Sequence, residues 1–295
     1  MKQGFLDGCF DGYHAGHVHA LYQAKLHMGY NKLVVATHTD AEIAKYKSPC
    51  LFNYATRYKM LKHCKFIDRL LDASEYCTSL DTIERNNCDF FFHGDDIILD
   101  ANGNDILSEL KRAGKLVLYP RTEGVSTTDL VYRIDHLMRG EPIPTNGNID
   151  YLKGIFNKIT RFEPKRQEPQ KVIYIELTWD LFNDIHIDYL ELIRSRYPDY
   201  KIIAGILPGS NTIYNVYEIA IVLASIDLID QVVIEPTRID CDTILTTSNH
   251  LQCKFSANKI EHLNLILNEI EYKKIIINRI IQRFDTYKVK LLKKN

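Results

Sequence analysis

The chain lacks the features that would set it apart from ordinary globular proteins. No run of 18 or more residues is continuously apolar, so the sequence predicts no transmembrane segment. Its 37 basic and 38 acidic residues leave a net charge of −1, which is too little to recruit nucleic acid through a positive field. The first residues contain no apolar stretch long enough for a signal peptide, and we therefore expect a cytoplasmic protein.

Paired cysteines are also missing. The seven cysteines are odd in number and none forms a C-x-x-C pair. This pattern argues against a zinc site and against a disulfide framework, so we expect reduced thiols and no protein-bound metal cluster.

Glycine is scarce in the second half, because 12 of the 14 glycines lie at or before Gly154. Glycine permits a close approach of backbone to ligand, so the first half is expected to bind the ligand. A polar stretch with four prolines, at 140–170, interrupts regular structure. We predict a catalytic domain at 1–139, a linker at 140–170 with a short helix in its middle at 151–159, and a second domain at 171–295.

Both halves alternate apolar runs with helical patterns, which favours an α/β fold with a doubly wound parallel sheet in each half. The predicted strands of the first half are 3–6, 32–36, 89–92 and 115–119, and the predicted helices are about 17–28, 55–64, 78–86 and 104–113. In the second half the predicted strands are 172–177, 202–206 and 231–235, with helices near 186–196 and 216–227.

The second half is a diverged copy of the first. The D-x-x-H-x-x-H pattern at 11–17 recurs as D-x-x-N-x-x-H at 180–186, an offset of 169 residues. Residues 66–70 align with 228–232 at an offset of 162, so seven residues are missing from the second copy. The repeat predicts two related domains.

The strongest chemical signal is D-G-C-F-D-G-Y-H-A-G-H at 7–17, between the first predicted strand and helix. Backbone amides at a helix start bind phosphate, and glycines let the main chain approach it. His14 and His17 are three residues apart, so they share one face of the first turn and can donate to phosphate oxygens. The other candidate phosphate- or nucleotide-binding residues here are Gly8, Cys9, Phe10, Asp11 and Gly16.

Two motifs carry a resemblance to a known family. His14–His17 matches the H-x-G-H signature of nucleotidyltransferases, and R-T-E-G-V-S-T-T at 121–128 resembles the R-T-x-G-[IV]-S-T-[ST] signature of cytidylyltransferases. Two related domains, a tandem Rossmann-like pair, are typical of the ethanolamine-phosphate cytidylyltransferases. The resemblance implies nucleotide contacts at Arg121, Gly124, Val125, Ser126, Thr127 and Thr128.

Three further segments agree with this family. Lys47 lies where the family has its catalytic lysine, with Lys45 as the nearest rival. R-Y-K-M at 57–60 resembles the E-R-Y-x-M helix start, with threonine in place of glutamate. H-G-D-D at 93–96 resembles the family's H-G-N-D, which implies nucleotide contacts at His93 and Gly94, while the carboxylates of Asp95 and Asp96 could hold an ammonium group.

The resemblance implies that CTP and phosphoethanolamine give CDP-ethanolamine and pyrophosphate. His14, His17, Lys47 and Arg121 would be the catalytic residues, and Mg²⁺ would accompany the triphosphate. The second copy has lost the first histidine and the lysine loop, so it would be structural. Its packing as an internal pseudo-dimer would make the chain a monomer, with a homodimer as the alternative.

Other interpretations remain open at this point. The acceptor could be phosphocholine or glycerol phosphate, the nucleotide could be ATP, or the protein could be a nucleotide-binding regulator without activity. The basic, partly apolar tail at 272–295 is expected to pack on the second domain, with a membrane-surface helix as the alternative.

Overall fold

The computed structural model describes residues 2–27, 29, 32–47, 49–96, 105–144, 147–162, 171–207, 212–246 and 254–262, together with 274, 275, 277 and 278. The chain divides into two compact units, Met1–Glu123 and Gly124–Asn295. Of the tail at 272–295, the structure describes positions 274, 275, 277 and 278. The expected packing of this tail on the second domain therefore lies outside the described residues.

The first unit is built on a parallel sheet. Its strands are β1 (Gln3–Gly8), β2 (Lys32–Thr37), β3 (Arg69–Leu71), β4 (Phe90–Gly94) and β5 (Leu116–Tyr119), in the order β3-β2-β1-β4-β5. Its helices are α1 (Ala15–His27), α2 (Asp40–Tyr46), α3 (Tyr54–Lys62), α4 (Leu80–Arg85) and α5 (Ser108–Arg112). This topology confirms the α/β fold expected of the first half.

The central strands are apolar because helices cover both faces of a parallel sheet. Leu33, Val34, Val35 and Ala36 of β2 are all fully buried. On one face, Val34 packs with Phe91 of β4 and with side chains of α4 and α5. The continuous apolar runs in the sequence are thus the signature of a sheet covered on both sides.

The second unit repeats this sheet. Its strands are β6 (Lys171–Leu177), β7 (Tyr200–Ile206), β8 (Gln231–Ile234), β9 (Arg238–Thr246) and β10 (Lys254–His262), in the order β10-β9-β6-β7-β8. Its helices are α6 (Thr127–Met138), α7 (Ile149–Ile159), α8 (Asp184–Arg196) and α9 (Val216–Ser225). Because β6 corresponds to β1 and β7 to β2, the strand order is that of the first unit.

Matching contacts confirm the internal repeat. Asp68 accepts a hydrogen bond from the amide of Leu33 at 2.7 Å and pairs with Lys25. Asp230 accepts from the amide of Ile202 at 2.8 Å and pairs with Arg194 at 2.7 Å. These pairs follow the offsets of 169 and 162 residues found in the sequence.

Some elements differ from the sequence prediction for identifiable reasons. Strand β3 has three residues, which is too short for a pattern, and β9 carries polar residues that break up its apolar run. Helix α2 buries only Ile43, so it has no apolar stripe; it begins where the Thr39 side chain accepts from the amide of Glu42 at 3.1 Å. By contrast, α7 matches the short helix expected at 151–159, and it buries Leu152, Ile155 and Ile159.

Candidate active site

The predicted phosphate-binding loop lies at the reversal point of the first sheet. Strand β1 pairs with β2 on one side and with β4 on the other, and both β1 and β4 end in glycine, at Gly8 and Gly94. Ligands of open parallel sheets bind at the carboxyl ends of the strands where the order reverses.

The loop after β1 has an unusual backbone. Phe10, Gly12 and Tyr13 all have positive φ angles, of 49°, 73° and 20°. The Asp11 carboxylate holds this turn in place because it accepts from the amides of Leu51 and Phe52, each at 2.9 Å. The side chain of Asp11 is therefore used inside the protein, although its backbone remains part of the loop.

The two histidines of the H-x-G-H motif meet at the start of α1. Their rings stack with centroids 3.8 Å apart, and the His14 amide donates to His17 Nδ1 at 3.4 Å. Because Nδ1 of His17 accepts, its neutral ring carries the proton on Nε2. Burial, with the positive charges of His14 and Arg121 nearby, holds the pKa of His17 well below its usual range.

A buried arginine braces the loops around this site. Arg57 is fully buried and donates to the carbonyl oxygens of Cys9 at 2.7 Å and His38 at 2.8 Å. It also donates to the Thr37 hydroxyl at 2.6 Å and pairs with Asp40 at 2.7 Å. These bonds tie together the segments that follow β1 and β2.

A small pocket, partly open to solvent, lies beside the loop. Its lining residues are Asp7, Gly8, Cys9, His38, Lys47, Tyr76, Thr78, Phe91, His93, Ile106 and Leu107. Four predicted residues, Gly8, Cys9, Lys47 and His93, thus line one pocket.

Two titratable groups of the pocket are strongly perturbed. Desolvation raises the pKa of Asp7 to about 7, although Thr78 donates a hydrogen bond to its carboxylate. Burial lowers the pKa of His38 to about 4, so this ring is neutral at physiological pH. Among the described residues that line the pocket, Asp7 is the one carboxylic acid.

The structure distinguishes the two candidate lysines. Lys47 lines the pocket, with its Nζ 3.8 Å from Cys9 Sγ and 5.5 Å from the centroid of the Tyr76 ring. Lys45 is absent from the pocket lining and its Nζ pairs with Glu42 at 2.7 Å. Of the two amines, that of Lys47 is placed to meet a pocket ligand.

The other predicted residues of the first unit form an ion pair. Arg121 donates to both oxygens of Asp96, at 2.8 and 2.7 Å. A side chain at Gly94 would press on this pair, because its Cβ would lie 2.8 Å from an Asp96 oxygen. The Asp96 carboxylate is thus occupied by Arg121, whereas Asp95 is exposed.

The remaining predicted residues belong to the second unit. Gly124 has a positive φ of 70°, and Ser126 caps α6 by accepting from the amide of Asp129 at 3.2 Å. Val125 is buried, and Thr127 and Thr128 begin the helix. The predicted glycine turn and hydroxyl cap are therefore both present.

The second copy keeps the backbone conformation of this loop, but Asn183 replaces the first histidine of the motif. Trp179 and Leu181, equivalent to Phe10 and Gly12, have positive φ angles of 57° and 54°. His186 repeats the helix cap of His17, since its Nδ1 accepts from the Asn183 amide at 3.2 Å. Trp179 is fully buried, with its Nε1 donating to the carbonyl of Gly205 at 3.0 Å.

Seven pocket residues were not predicted as site residues, and four of them are polar: Asp7, His38, Tyr76 and Thr78. Asp7 and His38 lie at the carboxyl ends of β1 and β2, and the other two follow β3. The rule that ligands bind beyond the carboxyl ends of parallel strands could have found them. Asp7 and His38 begin the loop motif and the lysine loop, but neither was assigned a role, and Tyr76 and Thr78 belong to none of the motifs.

Among the residues that the structure describes, no cluster of three or more His, Cys, Asp or Glu side chains could hold a metal ion. Within the same residues, every helix is too short or too polar to cross a bilayer.

The fold and the loop define a Rossmann-like nucleotidyltransferase, and residues 5–133 match the Cytidylyltransferase-like family. The ethanolamine-phosphate cytidylyltransferase of Dictyostelium discoideum is 35% identical over 78% of this chain and 72% of its own length. The mouse enzyme of the same name is 34% identical over 68% of this chain and 59% of its own length. The chain belongs to the ethanolamine-phosphate cytidylyltransferase family.

A choline-phosphate relative matches less of the chain. The probable choline-phosphate cytidylyltransferase of Schizosaccharomyces pombe is 34% identical over 44% of this chain and 36% of its own length. The ethanolamine-phosphate relatives thus share more of the chain, at similar identity.

The perturbed acid generates a testable prediction. Because the raised pKa of Asp7 favours protonation in the folded state, its ionisation lowers the free energy of unfolding as pH rises from about 4 to 7. The loss is at most about 1.4 kcal/mol per pH unit. Asp7→Asn removes this ionisation, so we expect the variant to gain stability relative to the wild type as pH rises.

Urea unfolding of both proteins at about pH 5 and about pH 7.5 measures this difference. A difference in stability that is equal at the two pH values would show that Asp7 titrates normally in the folded protein.

Proposed function

We propose that the protein transfers the cytidylyl group of CTP to phosphoethanolamine and releases pyrophosphate. The observation that carries the proposal is that Lys47 and Asp7 line the same pocket. Phosphoethanolamine carries a phosphate and an ammonium group, and the pocket offers a partner for each.

The phosphate side of the proposal rests on donors that converge near the end of β1. The backbone from Gly8 to Cys9 lines the pocket, and Lys47 supplies a cation. The charges of Arg121 and Lys47 both lower the pKa of His17. Such donors stabilise charge that grows on phosphate oxygens during phosphoryl transfer.

The ammonium side rests on Asp7 and Tyr76. A cation beside Asp7 would favour the ionised carboxylate, which desolvation otherwise opposes. The Tyr76 ring already lies 5.5 Å from one ammonium group, that of Lys47, and aromatic faces attract such cations. Glycerol phosphate has no ammonium group, so the pocket favours phosphoethanolamine over it.

The proposed reaction is a single in-line displacement. An oxygen of the acceptor phosphate attacks the α-phosphorus of CTP, a new P–O bond forms, and the bond to pyrophosphate breaks. The acceptor phosphate is already an anion, so no side chain has to remove a proton. Lys47 would bridge the acceptor and α-phosphates, while His17 would donate from Nε2 to the triphosphate.

Mg²⁺ would enter with the nucleotide in this proposal. The described pocket residues offer one carboxylate among histidines, lysine and backbone amides, a donor set suited to phosphate rather than to a metal. Mg²⁺ commonly keeps waters and binds substrate phosphates, where it neutralises the charge of the leaving group.

The same proposal gives the chain one working site. The equivalent of Arg57 is Ile219, and the seven missing residues of the second copy remove its lysine loop. We propose that the protein binds one CTP, works as a monomer and acts in the cytoplasm.

The function is tested by pyrophosphate release with CTP and each of phosphoethanolamine, phosphocholine and glycerol phosphate, and with ATP in place of CTP. We expect phosphoethanolamine to exceed the other acceptors in kcat/KM by roughly tenfold or more, because only it fits both charges of the pocket without added methyl groups. Faster turnover of phosphocholine or of ATP would contradict the proposal. Binding of CTP without turnover of any acceptor would favour the non-enzymatic alternative.

Lys47→Ala should abolish most turnover, whereas Lys45→Ala should leave most of it. The two lysines differ by two residues, but only Lys47 lines the pocket. Loss of a charge that contacts the transition state costs about 10²-fold or more in kcat. Steady-state kinetics of both variants measure this loss. A larger loss of turnover in Lys45→Ala would show that the catalytic lysine has been assigned two residues too late in the sequence.

His17→Ala and His186→Ala form a matched pair. Each removes the ring that accepts the amide at a helix start, so their effects on stability should be similar. Only His17→Ala should lower kcat, by about 10²-fold, since His186 has no phosphate to contact. Equal kcat values in the two folded variants, with thermal unfolding as the control, would remove His17 from the mechanism.

A further inference from the structure

Helix α6 of the second unit is held by one buried ion pair. The guanidinium of Arg133 lies 2.6 Å from the carboxylate of Glu218, and both side chains are at most 2% exposed. Arg133 also donates to the carbonyl oxygens of Ile213, at 3.2 Å, and Gly124, at 3.4 Å. One guanidinium therefore joins α9 to the turn that precedes α6.

Hydrogen bonds to the backbone at a helix start hold the carboxylate of Glu218 in place. It belongs to a capping box at the start of α9, in which the Asn215 amide donates to Glu218 Oε2 at 2.8 Å. The Asn215 side chain accepts in return from the Glu218 amide at 3.0 Å. The position of Arg133 is thus set by the backbone at a helix start.

The two copies have each kept one member of a glutamate–arginine dipeptide. At equivalent positions the first copy reads Thr56-Arg57 and the second reads Glu218-Ile219. Arg57 binds the carbonyl of Cys9, and Glu218 binds the arginine that contacts the carbonyl of Gly124. Each retained residue therefore braces a segment that the proposed function assigns to the nucleotide.

Stability alone is a weak reason to keep such a pair. Apolar replacement of a buried ion pair is often neutral or stabilising, because the desolvation of two charges offsets their attraction. What an apolar pair cannot do is hold a carbonyl oxygen at a defined position. The contact of Arg133 with Gly124 uses this directional property.

We propose that Arg133 is a positioning residue for the cytidylyl donor, and that the second unit contributes Glu218 to hold it. Arg133 orients the turn at Gly124, and with it the Ser126–Thr128 start of α6. This inference rests on the proposed function, because the resemblance assigns Gly124–Thr128 to the nucleotide. Within the second unit, Glu218 would thus act through Arg133 on the segment that the resemblance assigns to the nucleotide.

The test uses the full chain with Arg133→Lys and with the double variant Arg133→Met/Glu218→Leu. Lysine keeps the charge but lacks the fork, and the double variant leaves no unpaired charge. We expect CTP to bind roughly tenfold more weakly to the double variant in calorimetric titration, since small misplacements of positioning groups have effects of this size or larger. KM for CTP should rise likewise, while KM for phosphoethanolamine stays close to the wild type. The melting temperature should fall, because the Asn215 amide and the Ile213 carbonyl lose their partners.

The matched control is Arg194→Met/Asp230→Leu, a second ion pair of this unit, with atoms 2.7 Å apart. It binds backbone at the beginning of β7, so it should change the melting temperature and leave CTP affinity unaltered. Unchanged CTP affinity in the folded Arg133 double variant would overturn the inference. The inference would also be overturned if both double variants lost CTP affinity in proportion to the fall in their melting temperatures.

Titration of CTP separates this inference from the proposed function. If the wild type binds CTP but releases no pyrophosphate, the proposed reaction fails and the titration still decides the role of Arg133. If the wild type binds no CTP, both fail. In the supporting outcome, Arg133→Lys gives an affinity between those of the wild type and the double variant.

Discussion

The buried guanidinium of Arg57 is the interaction on which the candidate site depends. It binds the carbonyl oxygens of Cys9 and His38, which follow β1 and β2, together with Thr37 and Asp40. Buried carbonyls that lose their donor carry a desolvation cost of about 1–3 kcal/mol each, so these loops have strong reason to stay where Arg57 holds them. Arg57 thus fixes two of the segments that line the pocket, those of Cys9 and His38. Burial in the same pocket raises the pKa of Asp7 and lowers that of His38.

The two units show which parts of a nucleotidyltransferase fold serve stability and which serve chemistry. In both units a carboxylate in the loop after the first strand accepts hydrogen bonds from two consecutive backbone amides. Asp11 accepts from Leu51 and Phe52, and Asp180 accepts from Ile213 and Tyr214. Both also keep a histidine that caps the first helix. By contrast, the lysine loop and the arginine brace occur in the first copy only. The groups that hold the first helix and its loop thus occur in both copies, whereas the lysine that lines the pocket and the arginine that braces the neighbouring loops occur in one.

The sequence was informative wherever a pattern extends over many residues. Parallel strands buried on both faces read as continuous apolar runs, which is why β1, β2, β6 and β7 were predicted to within two residues. Short or mixed elements such as β3 and α2 have no such pattern. The H-x-G-H motif located the loop at the end of β1, because the residues that shape it are neighbours in the chain. The pocket was harder to predict, since Asp7, His38 and Tyr76 come from three separate loops.

By itself, the sequence determined the α/β class, the duplication, the degenerate second copy and the family. The first three depend on local spacing or on alignment of the chain with itself, and the family rests on the resemblance of its motifs to those of known cytidylyltransferases. Only the tertiary structure decided that Lys47 rather than Lys45 enters the pocket, that Asp96 is taken up by Arg121, and that Asp7 is the acid left beside Lys47. Contacts of this kind depend on how loops from separate strands converge at one edge of a sheet. Desolvation and charge pairing, which set the chemistry there, arise only once those loops are packed together.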